Sequence, residues 1–485
     1  MNDLTVNSKC NGWLAAMPCL AWLSGMIVSL PAHAGFVPYL LQDPGANLAA
    51  TIMANQGAIA NRDFAFPYGP LTLALQQLSL KLSSNGPAAM TVLQFAAALA
   101  FTLALCKSIR TFHLQPPAVL MLTATAFMVT ALPWPPVYEL EAAILAWALL
   151  ARAISRPDLA LALCATGAMI KPSMAFVLGA LFFIELLWRR RNRWREWKTL
   201  AQALLAPLLP AGILAAHFGW PGFWSMINPA VGARNYHALA YSFFSRRDNP
   251  FLIPGMRPGY YLGTPLVAWM VGIWLLGALA IIELFKIRSI SDRLMTGLSC
   301  FLASLIFIFA FYGPAPSFYY YAAFPAIGLA WLPAPERWKW LLYPAAALML
   351  LGNYSALRSD LGLWRHEHRY SATAGLWARP AIATEWQTQW AARTRQHIPF
   401  IGESSPRVIF PSLGKPWHGY LVPGEATARE RTLLTQRLST HACSAISPEW
   451  ILEHPPNALT ALRATTPVLT GRLYDLYCRK NFSRD

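Results

Sequence analysis

Residues 159–188 read LALALCATGAMIKPSMAFVLGALFFIELLW. The stretch is apolar almost throughout, so it reads as helix without a water-facing side. Basic residues flank it at both ends, Arg152 and Arg156 before it and Arg189, Arg190 and Arg191 after it. Basic residues between membrane spans collect on the cytoplasmic side. Both ends then belong on one side, whereas a single straight helix would put them on opposite sides. Lys171-Pro172 in the middle resolves the conflict, because proline lacks the amide proton and disfavours helix at the residue before it. The stretch is expected to be two short helices that rise to Lys171 and fall back. Ile170 lies about a dozen residues in, or roughly 18 Å at 1.5 Å per residue. Lys171 is thus expected at or below the outer surface, facing a cavity rather than lipid.

The rest of the 485-residue chain has the same character: 56% hydrophobic and 13% charged residues, against roughly 45–50% and 25% in soluble proteins. This excludes a disordered chain, a coiled coil, a disulfide-rich mini-protein and a soluble nucleic-acid binder. The net charge of +17 does not imply a nucleic-acid partner, because the cations sit in short turns between apolar stretches. The strongest cluster, Arg189, Arg190, Arg191, Arg193, Arg195 and Lys198, reads as one such cytoplasmic turn.

The first apolar segment is Trp13–Leu30, read as a retained span; Ala32-His33-Ala34 after it leaves a cleaved signal peptide as the alternative. A long loop, 31–87, carries two helical stretches, Ala46–Gln56 and Pro70–Leu82, expected to lie on the outer membrane surface. Spans are expected at Ala88–Cys106, Ala118–Leu132 and Val137–Ala151, followed by the hairpin and Leu200–Phe218. A second outer loop, 219–259, is rich in aromatic residues and arginine. Further spans follow at Tyr261–Phe285, Leu294–Tyr312, Phe318–Leu332 and Trp340–Asn353. The expected architecture is an all-α polytopic membrane domain, residues 1–353, with roughly 10–12 transmembrane helices, some of them short. Its N-terminus is cytoplasmic, and the helices of its first loop lie at the outer surface.

From Tyr354 charges become frequent and apolar runs short. Arg407–Pro411, Trp450–Leu452 and Leu473–Tyr477 read as strands, and Ala381–Gln396 and Ala426–Leu438 as helices. Residues 354–485 are expected to form a small soluble α/β domain on the outer side. Of the seven cysteines, Cys443 and Cys478 lie in this region and are free to pair if it meets an oxidising compartment.

Candidates for chemistry follow by elimination. The acidic residues of the membrane part that reach the outer face are Asp43, Asp63, Glu139, Glu141 and Asp248. Asp43 precedes Pro44, a pair that also suits a plain helix start. Asp63, in Arg62-Asp63-Phe64, either works beside Asp43 or pairs locally. Arg62 is either a bidentate phosphate donor or the partner of Asp63. Glu139 and Glu141 follow Pro135-Pro136, where acids suit a helix N-terminus. Lys171, an ionisable group at membrane depth, either binds an anionic ligand or snorkels to headgroups. In the second outer loop Arg234, Tyr236, His237, Arg246, Arg247 and Arg257 sit among aromatics, suited to phosphate or to anionic headgroups. Tyr319, Tyr320 and Tyr321 fit an aromatic belt or a cavity lining. His366-Glu367-His368 reads as structural, since two histidines at i and i+2 diverge on a helix.

Residues 42–70 read QDPGANLAATIMANQGAIANRDFAFPYGP. An acid after the first span, a helix closed by Gly57, Arg-Asp-Phe and then an aromatic-Gly-Pro resemble the first outer loop of the GT-C superfamily of membrane glycosyltransferases. The likeness extends to the hairpin at Lys171-Pro172, to Tyr319-Tyr320-Tyr321 with Pro325, and to the outward C-terminal domain. It implies a polyprenyl-phosphate-linked sugar as donor, a glycan or glycolipid acceptor, and a bacterial inner-membrane location with a periplasmic active site. It implies an inverting transfer with Asp43 as general base and Asp63 as a second catalytic acid. It places Lys171, Arg62, Arg234 and Arg257 at the donor phosphate, with Tyr68, Tyr236, His237 and Tyr320 lining the substrate. No second acid stands beside Asp43 as in some members, and a divalent metal is possible but not indicated. A carboxylate to take the acceptor proton and cations to stabilise the departing phosphate are what such a transfer needs. The competing expectations are an O-antigen-ligase-like transferase, which would depend on outer-loop Arg and His, and a polytopic transporter or flippase.

Overall fold

The computed structural model describes residues 13–35, 43–83, 85–131, 136–189, 201, 205–228, 277, 292–307, 319–331, 339–366, 369–371, 376–378, 380–395, 398–402, 407, 416–418, 427–448 and 457–479. In chain order the helices are α1 (Met17–His33), α2 (Asp43–Asn55), α3 (Pro70–Leu82), α4 (Gly86–Phe112), α5 (Pro116–Ala131), α6 (Val137–Ala153), α7 (Pro157–Ala168) and α8 (Pro172–Arg189). They continue with α9 (Leu208–Ile227), α10 (Asp292–Phe307), α11 (Tyr319–Trp331) and α12 (Lys339–His366). The C-terminal part holds β1 (Arg369–Ser371), β2 (Leu376–Ala378), α13 (Pro380–Glu385), a π-helical turn (Trp386–Trp390), α14 (Ala391–Arg395) and β3 (Phe400–Ile401). It ends with α15 (Ala428–Thr440), β4 (Cys443–Ile446), α16 (Asn457–Arg463) and β5 (Asp475–Cys478). Helices α3, α5, α7 and α8 each begin on proline. That position needs no amide proton, and the ring pre-sets the helical φ.

The described residues fall into two compact units. The first draws on 1–29, 94–213 and 240–362. In it α7 packs between its chain neighbours α6 and α8, α10 packs on α6 and α8, and α11 packs on α5 and α10. The expected break at Lys171-Pro172 is present: α7 ends at Ala168, the Lys171 amide donates to the Gly167 carbonyl at 2.9 Å, and α8 starts at Pro172. Gly167 lets the hairpin close, since a Cβ there would stand 3.1 Å from Ile144 Cγ2 and 3.3 Å from Ala175 Cβ. Small residues at such crossings let backbones approach where apolar surroundings give no other drive. Among the described residues α4 is the helix long and apolar enough to cross a bilayer, and α1, α5 and α7 are shorter apolar helices.

A polar joint ties three of these helices. Buried Arg152 of α6 donates through Nε to Glu185 Oε2 of α8 at 3.0 Å, and a second nitrogen donates to Glu185 Oε1. The same guanidinium reaches Asp292 Oδ1 of α10 at 3.2 Å, while Ser155 Oγ donates to Asp292 Oδ2. Arg152 stands fourteen positions beyond Tyr138 on α6, about 21 Å along the axis at 1.5 Å per residue. The joint is therefore at the opposite end of α6 from Tyr138, whose ring carries Lys171.

The second unit draws on 30–93, 214–239 and 363–485. Its sheet runs β3-β4-β5, with β3 parallel to β4, β4 antiparallel to β5 and Cys443 opposite Cys478. Cys443 and Cys478 form a disulfide. Leu48 and Ala49 of α2 are buried in one core with Trp386, Trp390, Phe400 and Tyr474. The rings of Trp390, Phe400 and Tyr474 meet edge to face at 5.0–6.0 Å, the geometry that aromatic quadrupoles prefer. The first-loop helix and the C-terminal region thus share a hydrophobic core.

Several elements depart from their expected bounds. α9 does not end at Phe218: Gly219 takes φ +70°, and the chain resumes as helix to Ile227. Only glycine visits that conformation without strain, so Gly219 acts as a kink rather than a stop. The last helix runs past Asn353 to His366. The single helix expected at Ala381–Gln396 is broken by the π-helical turn. This wider turn accompanies an inward Trp390, whose indole donates to Glu385 Oε1 at 3.0 Å. β5 begins at Asp475 rather than Leu473, and the Leu473 amide donates to Glu385 Oε1 at 3.1 Å rather than to a neighbouring strand. Residues 408–411, 450–452 and most of 261–285 lie outside the described residues.

Candidate active site

Asp43 is the first residue of α2, where the free amide protons of an opening helical turn point outward. α2 is held on two sides. Leu48 and Ala49 face the C-terminal core, whereas Thr51 faces α3, its hydroxyl 2.8 Å from Gln76 Oε1. A carboxylate at this position is fixed by the packing of the helix behind it.

Asp63 lies in the turn between α2 and α3, with its carboxylate buried. Ile59 N–H donates to Oδ2 at 2.9 Å; Arg62 donates through Nε to Oδ1 at 3.1 Å and through Nη2 to Oδ2 at 2.8 Å. Arg429 Nη1, from the first turn of α15, donates to Oδ1 at 2.6 Å. The hydrogen bond from Arg62 is the largest cause holding the Asp63 carboxyl well below the usual carboxylate range, with Ile59 N–H and Arg429 adding to it against the opposing effect of burial. Both guanidiniums remain mostly open to solvent, with side-chain exposures of 64% for Arg62 and 62% for Arg429. Asn61 shapes the same turn at φ +59°, a conformation asparagine tolerates. Its Oδ1 accepts from Phe66 N–H at 3.0 Å, and its Nδ2 donates to the Ser225 carbonyl of α9 at 3.1 Å. Tyr68 is buried at the end of an edge-to-face series, Phe64 to Phe66 at 6.5 Å and Phe66 to Tyr68 at 5.6 Å.

α15 supplies a second lock. Its capping box, Thr427 with Glu430, follows the Thr-x-x-Glu pattern. Glu430 Oε2 accepts from Thr427 N–H at 2.9 Å and also from Ala65 N–H at 3.1 Å, across 365 positions. Arg429 and Glu430 were not singled out from the sequence. The capping box is legible there as a helix start, but nothing local points to Asp63 or Ala65 as partners.

In the first unit Lys171 is buried, with Nζ 4.1 Å from the centroid of the Tyr138 ring at the start of α6. Tyr138 therefore meets the Lys171 cation through its ring face. Glu139 lies in the first turn of α6, as expected of an acid at a helix N-terminus, and both it and Glu141 are buried. Glu139 Oε1 accepts from Gln94 Nε2 of α4 at 2.8 Å, a partner that sequence reasoning missed. Tyr320 falls in the first turn of α11. Arg234, Tyr236, His237, Arg246, Arg247, Asp248 and Arg257 lie outside the described residues, as do Glu367 and His368. Among the described residues no group of three His, Cys, Asp or Glu side chains is arranged to hold a metal ion.

The structure thus brings Arg62 and Asp63 together and adds Arg429, while Lys171 pairs with Tyr138. No family model matches the chain, and no curated protein matches it by sequence. Two crystal structures of ArnT from Cupriavidus metallidurans share its architecture, one in the apo state and one bound to undecaprenyl phosphate. Each is 15% identical with a TM-score of 0.55; the matches cover 97% and 96% of this chain and 98% of ArnT. The chain therefore has the fold of ArnT over nearly the whole of both chains.

Proposed function

We propose that the protein is a bacterial inner-membrane glycosyltransferase. It moves a sugar from a polyprenyl-phosphate donor to a glycan or lipid-linked acceptor on the periplasmic face. The observation that carries this reading is the fold shared with ArnT over nearly the whole of both chains, one of those structures being bound to undecaprenyl phosphate. The Cys443–Cys478 disulfide supports an outward C-terminal region, since such bonds persist in oxidising compartments.

Asp43 takes the proton of the acceptor hydroxyl as general base, and that hydroxyl attacks the anomeric carbon opposite the departing phosphate, so the anomeric centre inverts. Lys171 binds the donor phosphate, helped by cations of the second outer loop such as Arg234 and Arg257. Arg62, with most of its guanidinium in solvent, offers its remaining N–H groups to an anionic substrate, while Asp63 holds it in place. The second role expected of Asp63 is therefore one of support, consistent with a carboxylate whose two oxygens accept from Ile59, Arg62 and Arg429.

The test compares wild type with Asp43→Asn, purified in lipid, offered radiolabelled polyprenyl-phosphate sugars and a membrane glycolipid extract. Asn retains the helix-start geometry and nearly the same volume. Removing a general base is expected to lower transfer by about 10²–10⁴-fold while donor binding and melting temperature persist. Equal transfer by the two proteins would remove Asp43 from the mechanism.

A further inference from the structure

One turn along α2 from Asp43 stands Asn47, 1% exposed, and facing α2 from α3 stands Gln76, which is fully buried. Among the described residues neither Asn47 Oδ1 nor Asn47 Nδ2 has a hydrogen-bond partner, and neither does Gln76 Nε2. Buried amides are almost always satisfied, because an unmet donor or acceptor forfeits its hydration without return. Here three such atoms come from two adjacent packed helices.

Thr51 explains why the pair stays open. Its Oγ1 lies 2.9 Å from the Asn47 carbonyl and 2.8 Å from Gln76 Oε1. One hydroxyl proton serves one of those acceptors. If it goes to Gln76 Oε1, the Gln76 NH₂ is left over. If it goes to the Asn47 carbonyl, the Gln76 amide turns over to donate to Thr51 and its oxygen is left over. Either way Gln76 retains one unmet polar atom, held in orientation by Thr51, which stands one turn along α2 from an Asn47 amide that retains both.

Positions 43, 47 and 51 share one face of α2. Four residues of helix span about 6 Å, comparable with the breadth of a sugar ring. An amide offers a donor and an acceptor side by side, and adjacent sugar hydroxyls complement that pair because each both donates and accepts.

We propose that Asn47 and Gln76 form a sugar-reading pair that hydrogen-bonds the ring hydroxyls of a substrate whose reacting centre lies at Asp43. The inference rests on the glycosyltransferase reading and deepens it by naming the residues that select the sugar. Donor and acceptor both carry such hydroxyls, and the experiment separates them.

Full-length wild type, Asn47→Leu and Gln76→Met are placed in lipid nanodiscs. Binding is measured for undecaprenyl phosphate and for the same lipid phosphate carrying glucose, mannose or arabinose, alongside melting temperature and steady-state transfer to a glycolipid extract. Asn47→Leu replaces a wholly unmet amide with an apolar group of similar size, so that ligand-free variant should melt at or above the wild-type temperature, whereas Gln76→Met also gives up the bond to Thr51. Bare undecaprenyl phosphate should bind all three equally. If the ring belongs to the donor, the extra affinity that the best sugar confers on wild type falls by about tenfold per lost hydrogen bond. If it belongs to the acceptor, that increment is retained and the acceptor KM rises by a similar factor. Variants that keep both the sugar increment and the acceptor KM overturn the proposal, as does a lowered ligand-free melting temperature of Asn47→Leu, the mark of an amide that serves an internal water. Wild type that binds neither bare nor sugar-bearing lipid phosphate overturns the glycosyltransferase reading, and this pair with it.

Discussion

Replacing Glu430 with Ala removes the acceptor that joins α15 to the turn after α2. Glu430 is fully buried, and its Oε2 receives Ala65 N–H at 3.1 Å and Thr427 N–H at 2.9 Å. Ala65 is 2% exposed, so its amide would be left buried without a partner, at about 1–3 kcal/mol. Loss of the capping box adds about 1 kcal/mol. The junction should therefore weaken by about 2–4 kcal/mol, a rise of roughly 30- to 700-fold in local opening at 1.4 kcal/mol per decade. Arg429→Ala removes a neighbouring ion pair whose arginine is 62% exposed, and such pairs contribute about 0.2–1 kcal/mol, or at most about fivefold. Thr427→Ala loses the cap but keeps the Ala65 bond and should lie between the two. Hydrogen exchange of the Ala65 amide, followed by mass spectrometry of peptides spanning 59–68 in nanodiscs, reads this opening directly. An Arg429→Ala protein that exchanges Ala65 as fast as Glu430→Ala would refute the assignment of the junction to the buried carboxylate.

Arg152→Met leaves Glu185 buried and facing Asp292 without a cation, and should cost about 3–5 kcal/mol of bundle stability by thermal melting. Replacing Arg152, Glu185 and Asp292 together by apolar residues should restore most of it. Asp63 gives a pH signature: its folded carboxyl titrates well below the unfolded value of about 3.9, so its stabilisation is complete above that value and is lost as pH falls further. Hydrogen exchange of the Asp63 amide, bonded to the Ile59 carbonyl at 2.8 Å, should accelerate beyond its intrinsic pH dependence in wild type as pH falls below about 3.9, and Asp63→Asn should already exchange fast at pH 7. Reducing Cys443–Cys478, which closes a loop of 35 positions, should destabilise the β4–β5 pair by about 3–4 kcal/mol. Faster exchange is then expected at 443–446 and 475–478, and α7 and α8 should be unchanged.

Much of the bundle was legible because its signals are local. A proline after a lysine breaks helix wherever it occurs, so Lys171-Pro172 divides 159–188 into α7 and α8 before any packing is known. Gly69-Pro70 starts α3 for the same reason, and Thr427-x-x-Glu430 carries its own cap. The bounds that shifted were settled by long-range contacts. The span expected to end at Phe218 is followed by more helix after Gly219, where Asn61 and Ser225 bond that helix to the first loop. Leu473 and Tyr474 read as strand from their side chains, but the Leu473 amide goes to Glu385 Oε1, 88 positions away, instead of to a strand.

The site divides in the same way. Asp43, Asp63 and Lys171 stand out as rare charged groups in apolar surroundings, a property of composition alone. Which partner each charge meets is a matter of chain return: Asp63 finds Arg429 after 366 positions, and Glu139 finds Gln94 across two helices. The orphan amides of Asn47 and Gln76 could not be seen at all from the sequence, where both read as ordinary polar residues on amphipathic helices. A hydrogen-bonding group becomes exceptional only when packing removes its water and supplies nothing in return, and that depends on every neighbour at once.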